Sequence, residues 1–336
     1  MSQTSFEDTV SEHQEGLRLD VYLTDVLDDR SDRVSRSFVK KLIKDARVVV
    51  NGGVCKRPGR TMACGDNVRA TIPPPPDTTL RPEDMPLDIL YEDRDLVVVN
   101  KPSGLVMHPA PGHYAGTLVH AILYHCPDFQ HTGDQAARPG IVHRLDRFTS
   151  GALVVAKSPA AYASLAAQAR EHSFDRRYLA LVSGEFREDR GRINATVGRS
   201  LSDPARMSVT GVRGRDAVTN FEILERFGVA SLVSLVLETG RTHQIRVHLR
   251  FAGHPVLGDP VYGVTDYTRR PFPDEVREAL EQLDGQALHA ERLGFQHPTS
   301  GERMTFTAPP PQDFQRALDA LRAATGCAQA SRPQRA

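Results

Sequence analysis

The chain has 336 residues, 40% of them hydrophobic, and balances 42 basic against 42 acidic side chains. That is length enough for a large domain beside a small one, and no run approaches the roughly 18 apolar residues of a membrane span. A formal net charge of zero argues against a protein that coats nucleic acid indiscriminately, yet leaves room for a local basic face. The cysteines Cys55, Cys64, Cys126 and Cys327 form no C-x-x-C pair, so reduced thiols and a cytoplasmic location are expected.

The opening stretch, "MSQTSFEDTVSEHQEG", is polar and acidic, without a signal or transit pattern, and residues 1–15 are expected to form a flexible N-terminus. Basic residues then accumulate: Arg30, Arg33, Arg36, Lys40, Lys41, Lys44, Arg47, Lys56, Arg57 and Arg60, against only Asp32 and Asp45 in that window. Arg36, Lys40, Lys44 and Arg47 are spaced to share one face of a helix, with Val39, Leu42, Ile43 and Ala46 on the other. Ser35 or Ser37 suits its start. "RVVVNGGVCKRPGRTMACGDNVRATI" follows, reading as a strand, an Asn-Gly turn and two further strands. A solvated helix face ordinarily mixes charges, so cations without intervening acids point to phosphate contact.

"IPPPPDTTLRPEDMP" predicts an extended spacer and a domain boundary. Beyond it, "LVVVNKP" reads as a buried strand, "LVHAILYH" as a helix and "ALVVAKS" as a strand. "PAAYASLAAQAREH" is a helix with proline in its first turn, and "RRYLALVSG" and "SLVSLVLETG" are strands. "RTHQIRVHLRFAG" is helical, with Ile245, Leu249 and Ala252 on one face. Strands and helices mix without a regular βαβ period, which favours an α+β domain over residues 77–325. The tail, 326–336, is expected to be disordered.

Several chemistries find no motif. There is no G-x-G-x-x-G after a strand, no phosphate-binding G-x-x-x-x-G-K-[ST] and no G-x-S-x-G elbow. His243 and His248 fall on different helix faces and lack a neighbouring glutamate, so zinc gains little. His108, His113, His120 and His125 read as loop or packing histidines. Neither a cofactor nor a metal is expected. Polar residues concentrate instead in "GIVHRLDRFTSG" and "TGRTHQIRVHLRFAGHPVLGDPVYG". In the first, Asp146 stands between Arg144 and Arg147 at the mouth of a strand. In isolation such an aspartate is ordinarily a surface ion pair.

Two resemblances change that reading. "RLDVYLTDVL…SRSFVKKLIKDARVVVNG…KRPGRTMACGDNV", over about residues 16–72, resembles the S4 RNA-binding domain. Residues 16–76 are therefore expected to be a small α/β RNA-binding domain ending in the proline-rich linker, with Arg36, Lys40, Lys44 and Arg47 on RNA. The two polar segments, together with "ILYEDRDLVVVNKPSGLVMHP", "RRYLALVSG" and "LHAERLGFQHPTSGERMTFTAPPP", resemble the RluA-type family of RNA pseudouridine synthases from about residue 86 to 311. This implies a mixed, largely antiparallel sheet and an isomerase that breaks the uridine N1–C1′ bond and rejoins the base through C5, without a cofactor.

The resemblance makes Asp146 the catalytic aspartate and Arg246, in "HQIRVH", its cationic partner. Tyr178 in "RRYLALV" would stack on the target base, and Arg144 would enter the RNA stack where the uridine is flipped out. Whether Asp146 attacks C1′, adds to C6 or takes a C2′ proton stays open. Phe148 departs from the family, where an acid is common two residues after the aspartate. Large-subunit members carry an S4 domain, so the implied substrate is 23S rRNA and the implied state a monomer away from membranes. A tRNA synthase and a non-catalytic RNA-binding assembly factor are the alternatives.

Overall fold

The computed structural model describes residues 4–28, 34–73, 79–110, 113–129, 139–203, 205–209, 214–267 and 272–326. Arg30, Asp32, Arg33, most of the proline run, Cys327 and the tail beyond Gly326 lie outside the described residues. The chain divides into two compact units, residues 1–77 and 78–336.

In the smaller unit, β1 (Thr4–Thr9), β2 (Val48–Val50), β3 (Gly53–Val54) and β4 (Asn67–Ile72) form an antiparallel sheet in the order β1-β4-β2-β3. Helices α1 (Leu19–Asp28) and α2 (Arg36–Lys44) supply Leu19, Tyr22, Leu23, Val39, Leu42 and Ile43 to a core closed by Val48, Val50, Val68 and Ala70. The Ser35 hydroxyl accepts from the Phe38 N–H and caps α2, satisfying a donor the helix cannot use. Asn51 and Gly52, both at positive φ, turn β2 into β3, the conformation a two-residue hairpin demands.

Two expectations fail here. Residues 4–9 are not flexible: β1 pairs with β4 along its length, and Phe6 and Val10 are buried. The alternation was masked because the intervening inward position is Asp8, which accepts a 2.7 Å hydrogen bond from the Tyr22 hydroxyl. Arg47 is not on the helix either. α2 stops at Lys44 with Asp45 as its cap, and Ala46 turns at φ 60°.

The larger unit is built on nine strands: β5 (Asp88–Glu92), β6 (Leu96–Lys101), β7 (Ser150–Ala156), β8 (Asp175–Ser183), β9 (Arg190–Asn194), β12 (Val218–Arg226), β13 (Ala230–Leu237), β14 (Leu288–Gln296) and β15 (Arg303–Thr307). Their order is β5-β6-β7-β14-β8-β13-β12-β9, with β15 beside β14. Among the described residues only the β7–β14 pair is parallel, so the sheet is mixed and largely antiparallel, as expected. Around it lie α3 (Leu118–His125), α4 (Pro159–Arg170), α5 (Gln244–Phe251), α6 (Asp274–Glu281) and α7 (Gln312–Thr325). A hairpin, β10 (Val197–Arg199) and β11 (Met207–Val209), packs Val197 and Met207 with Val247 of α5 and Tyr262.

Sequence chemistry fixes where β7 begins. All seven of its residues are buried, and Gly151 sits at φ +116°, where a Cβ would fall 2.3 Å from the Ala290 carbonyl oxygen. Only glycine permits that approach, which holds β7 against β14 in the register His289↔Ser150, Ala290↔Gly151. The loop carrying Asp146 ends at this anchored point.

Candidate active site

Three attachments shape the loop before β7. The Val154 N–H donates to Nε2 of His143 at 3.1 Å. Burial, aided by the nearby Arg176 cation, pushes His143 down to about 3, so the ring stays neutral and able to accept. Lys101, fully buried at the end of β6, donates from Nζ to the carbonyls of Pro102, Leu105 and Arg147 at 2.7, 3.0 and 3.0 Å. Three acceptors match the three donors of an ammonium group and tie the loop that follows β6 to the loop of Asp146. Phe148 packs on Gly285, where a Cβ would lie 2.6 Å from its own, and its carbonyl accepts from Ser103 Oγ at 3.2 Å. An apolar ring thus stands where the family commonly has an acid, and it joins this loop to the segment before β14.

Asp146 faces α5. Its Oδ2 accepts from Nη1 of Arg246 at 3.0 Å, and its side chain is 16% exposed. The same guanidinium is gripped from the other side by Asp259, which accepts from Nε at 2.6 Å and Nη2 at 2.8 Å. Asp259 is fully buried, and its Oδ1 also accepts from the Val261 and Tyr262 N–H groups. Burial opposes charge on Asp259, but Arg246 and those two N–H groups hold its carboxyl below the ordinary value. Burial likewise opposes charge on Arg246, and the two carboxylates overcome it. The guanidinium lies over the Tyr262 ring, 4.9 Å from its centroid.

Asp146 and Arg246 line a cavity of about 360 Å³, together with Arg144, Tyr178, His108 and Arg176, a size that suits a small ligand or a single base. Tyr178 lies on β8, opposite Leu235 of β13, and is 6% exposed. Burial raises its hydroxyl above the ordinary tyrosine value, so it stays neutral. Arg144 is exposed at the cavity wall. The structure therefore brings together Asp146, Arg246, Tyr178 and Arg144. Asp259, Tyr262, Lys101 and His143 were not singled out in the sequence. Asp259 stood inside a quoted polar segment, between glycine and proline, and that turn composition around an acid was its only signal.

In the smaller unit the basic residues are placed differently from the expected stripe. The carboxylate of Asp20, on α1, is fully buried and takes Arg18 at 2.9 Å, Arg36 at 2.9 Å and Lys40 at 3.6 Å. Burial opposes its charge, yet its bonds to Arg18 and Arg36 hold it below the ordinary carboxylate value. Lys44 remains exposed and Arg47 half-buried. One further cluster, Asp93, Asp95 and His297, is close enough to share an ion. Its atoms already bond one another, Tyr91 and Thr299.

Comparison with known proteins agrees with this architecture. Residues 95–251 match the family described as RNA pseudouridylate synthase. The chain is 44% identical over 314 residues to the uncharacterised RNA pseudouridine synthase YlyB of Bacillus subtilis, covering 94% of this chain and 97% of that protein. It is 45% identical over 313 residues to ribosomal large subunit pseudouridine synthase D of Neisseria meningitidis, covering 93% and 80%. The human protein RNA pseudouridylate synthase domain containing 1 superposes with a TM-score of 0.51 at 30% identity, over 74% of this chain and 98% of that one. The chain belongs to the RNA pseudouridine synthase family and is an isomerase.

Proposed function

We propose that the protein converts specific uridines of 23S rRNA to pseudouridine, with Asp146 as the reacting carboxylate and residues 16–76 as an S4-type RNA-binding domain. The observation that carries the site is the Asp146–Arg246–Asp259 row opening on a cavity shared with Tyr178. The name of the Neisseria relative, ribosomal large subunit pseudouridine synthase D, supports the choice of RNA. The substrate places the work in the cytoplasm, and a single chain holds every site residue named.

The chemistry follows from the geometry. A uridine inside a helix is out of reach, so it must swing out into the cavity. Arg144 at the wall fills the space it leaves, and Tyr178 lies against the base. Isomerisation breaks N1–C1′ and makes C5–C1′; C5 loses a proton and N1 gains one, with no change of oxidation state. Asp146 acts as nucleophile or base, for which it must be ionised. Arg246 meets that need by occupying Oδ2, and Oδ1 keeps two lone pairs, enough for the reaction and one further donor. Asp259 keeps the guanidinium in place, because a cation held from both sides cannot follow the substrate out.

Pseudouridine mapping of total RNA, with and without the gene, tests this. Positions in 23S rRNA should lose pseudouridine and regain it with the wild-type gene but not with Asp146→Asn. Loss in tRNA instead would move the substrate, and no change anywhere would leave an RNA-binding assembly factor.

A further inference from the structure

His243 precedes α5 and is the residue on which that helix opens, yet its backbone sits at φ 57°, ψ 20°, the left-handed region that a non-glycine residue enters at a cost. Its ring lines the cavity. Nδ1 lies 2.8 Å from the Tyr262 hydroxyl, and Nε2 lies 3.9 Å from Oδ1 of Asp146, the oxygen that Arg246 leaves free. The Tyr262 oxygen already accepts from the Met207 N–H at 2.8 Å. Among the described residues its hydroxyl hydrogen has no other acceptor than Nδ1, so Nδ1 accepts and the neutral ring carries its hydrogen on Nε2.

We propose that His243 is a positioning residue for the reaction: its Nε2–H is the second hydrogen-bond donor to Asp146, engaging Oδ1 when bound RNA closes the site, so that two donors fix the plane of the carboxylate. At 3.9 Å the contact is too long for a hydrogen bond, and catalytic hydrogen bonds commonly tighten only once substrate is bound. Burial lowers His243 below the ordinary histidine value, with Arg246 and Arg144 acting the same way and Asp146 and Asp259 opposing; the ring is therefore a neutral donor near pH 7. The left-handed backbone is the local cost of aiming it there.

This inference rests on Asp146 being the reacting carboxylate, so single-turnover rates are measured on the full-length enzyme for Asp146→Asn alongside His243→Gly, His243→Asn and His243→Gln. Glycine and asparagine both accept the left-handed backbone but place no donor at Oδ1. Each should keep the RNA affinity of the wild type and melt somewhat lower, because the buried Tyr262 hydroxyl loses its acceptor, while the rate falls roughly 10- to 100-fold, the loss typical of a hydrogen bond to a charged group. Glutamine, whose amide reaches as far as Nε2, should recover part of that rate. Rates for the glycine and asparagine variants within twofold of wild type, with Asp146→Asn inactive, would overturn the role of His243 alone. So would rates that rank with the melting temperatures of the three variants, or a glutamine variant no faster than asparagine. An active Asp146→Asn would instead overturn the reading of Asp146.

Discussion

The two units solve opposite charge problems with the same materials. In the smaller one, a single buried carboxylate, Asp20, gathers three cations, each about half exposed. In the larger one, a single buried cation, Arg246, gathers two carboxylates, of which Asp259 is fully buried and Asp146 partly exposed. Three cations on one acid leave positive charge facing solvent, which suits phosphates. Two acids on one cation leave negative charge, and the more exposed acid carries it into a cavity. Desolvation makes each buried centre expensive unless it is paired, so each surplus sits on the members that still touch water. The two centres thus differ in which sign is buried and which is left over.

The hardest test of this contrast removes the surplus carboxylate. Asp146→Asn keeps size and shape but loses the reactive oxygen, so turnover should fall by at least about 10³-fold while RNA binding holds. Single-turnover pseudouridine formation above a contamination control would show that the spare charge is not the reactive one.

Removing the other acid should cost stability first. In Asp259→Asn an amide N–H₂ would meet the guanidinium that Asp259 now grips at 2.6 and 2.8 Å, and breaking a buried pair costs about 3–5 kcal/mol. Activity should drop roughly 100-fold through the displaced Arg246. The sign with pH is fixed by the lowered carboxyl of Asp259. Its stabilisation is complete above the unfolded value of ~3.9 and disappears as pH falls through the lower folded one. Melting temperatures taken from pH 5 to 3 should therefore fall more steeply for wild type than for Asp259→Asn; parallel curves would mean the pair contributes nothing to acid stability.

A smaller effect belongs to the cavity wall. Tyr178→Phe keeps an aromatic face, whereas Tyr178→Ala removes it, and stacking on a base is worth about 1–3 kcal/mol by such substitutions. The Ala variant should bind and convert RNA worse by that amount, with Phe close to wild type. Equal loss in both variants would assign the work to the hydroxyl instead.

What could be read before folding follows the same division. Asp146, Arg246 and Tyr178 stood out only through motifs that resemble a known family, whereas β7 and α5 around them were plain from apolar runs and period. Asp259 was hidden because a second acid on an arginine is a tertiary fact: it comes 13 residues after Arg246 in sequence, beyond the end of the helix. Asp20 was hidden for a related reason. It lies on α1, 16 residues before Arg36, outside the window in which the charges looked unopposed. β1 was missed because one of its inward residues is an acid satisfied by Tyr22. Local pattern reveals which side chains face one way; it does not reveal which distant charge meets them.

The least expected change is the most informative about the smaller unit. Arg36 and Lys40 share Asp20, while Lys44 is exposed and near the end of α2. Each phosphate contact contributes about 0.7–0.9 to the slope of log affinity against log salt, through released counterions. Lys44→Ala should therefore lower the slope by roughly that amount and leave the chemical step untouched, since phosphate contacts position RNA without reading it. Removing residues 1–76 should flatten the slope further, because Arg18, Arg36 and Lys40 go with it, and should spare conversion at saturating RNA. If Lys44→Ala leaves the slope unchanged but the deletion flattens it, the contact lies with the cations around Asp20 and not with the exposed end of the helix. If neither changes it, the surplus positive charge of this unit faces only solvent, and the contrast between the two charge centres loses its functional half.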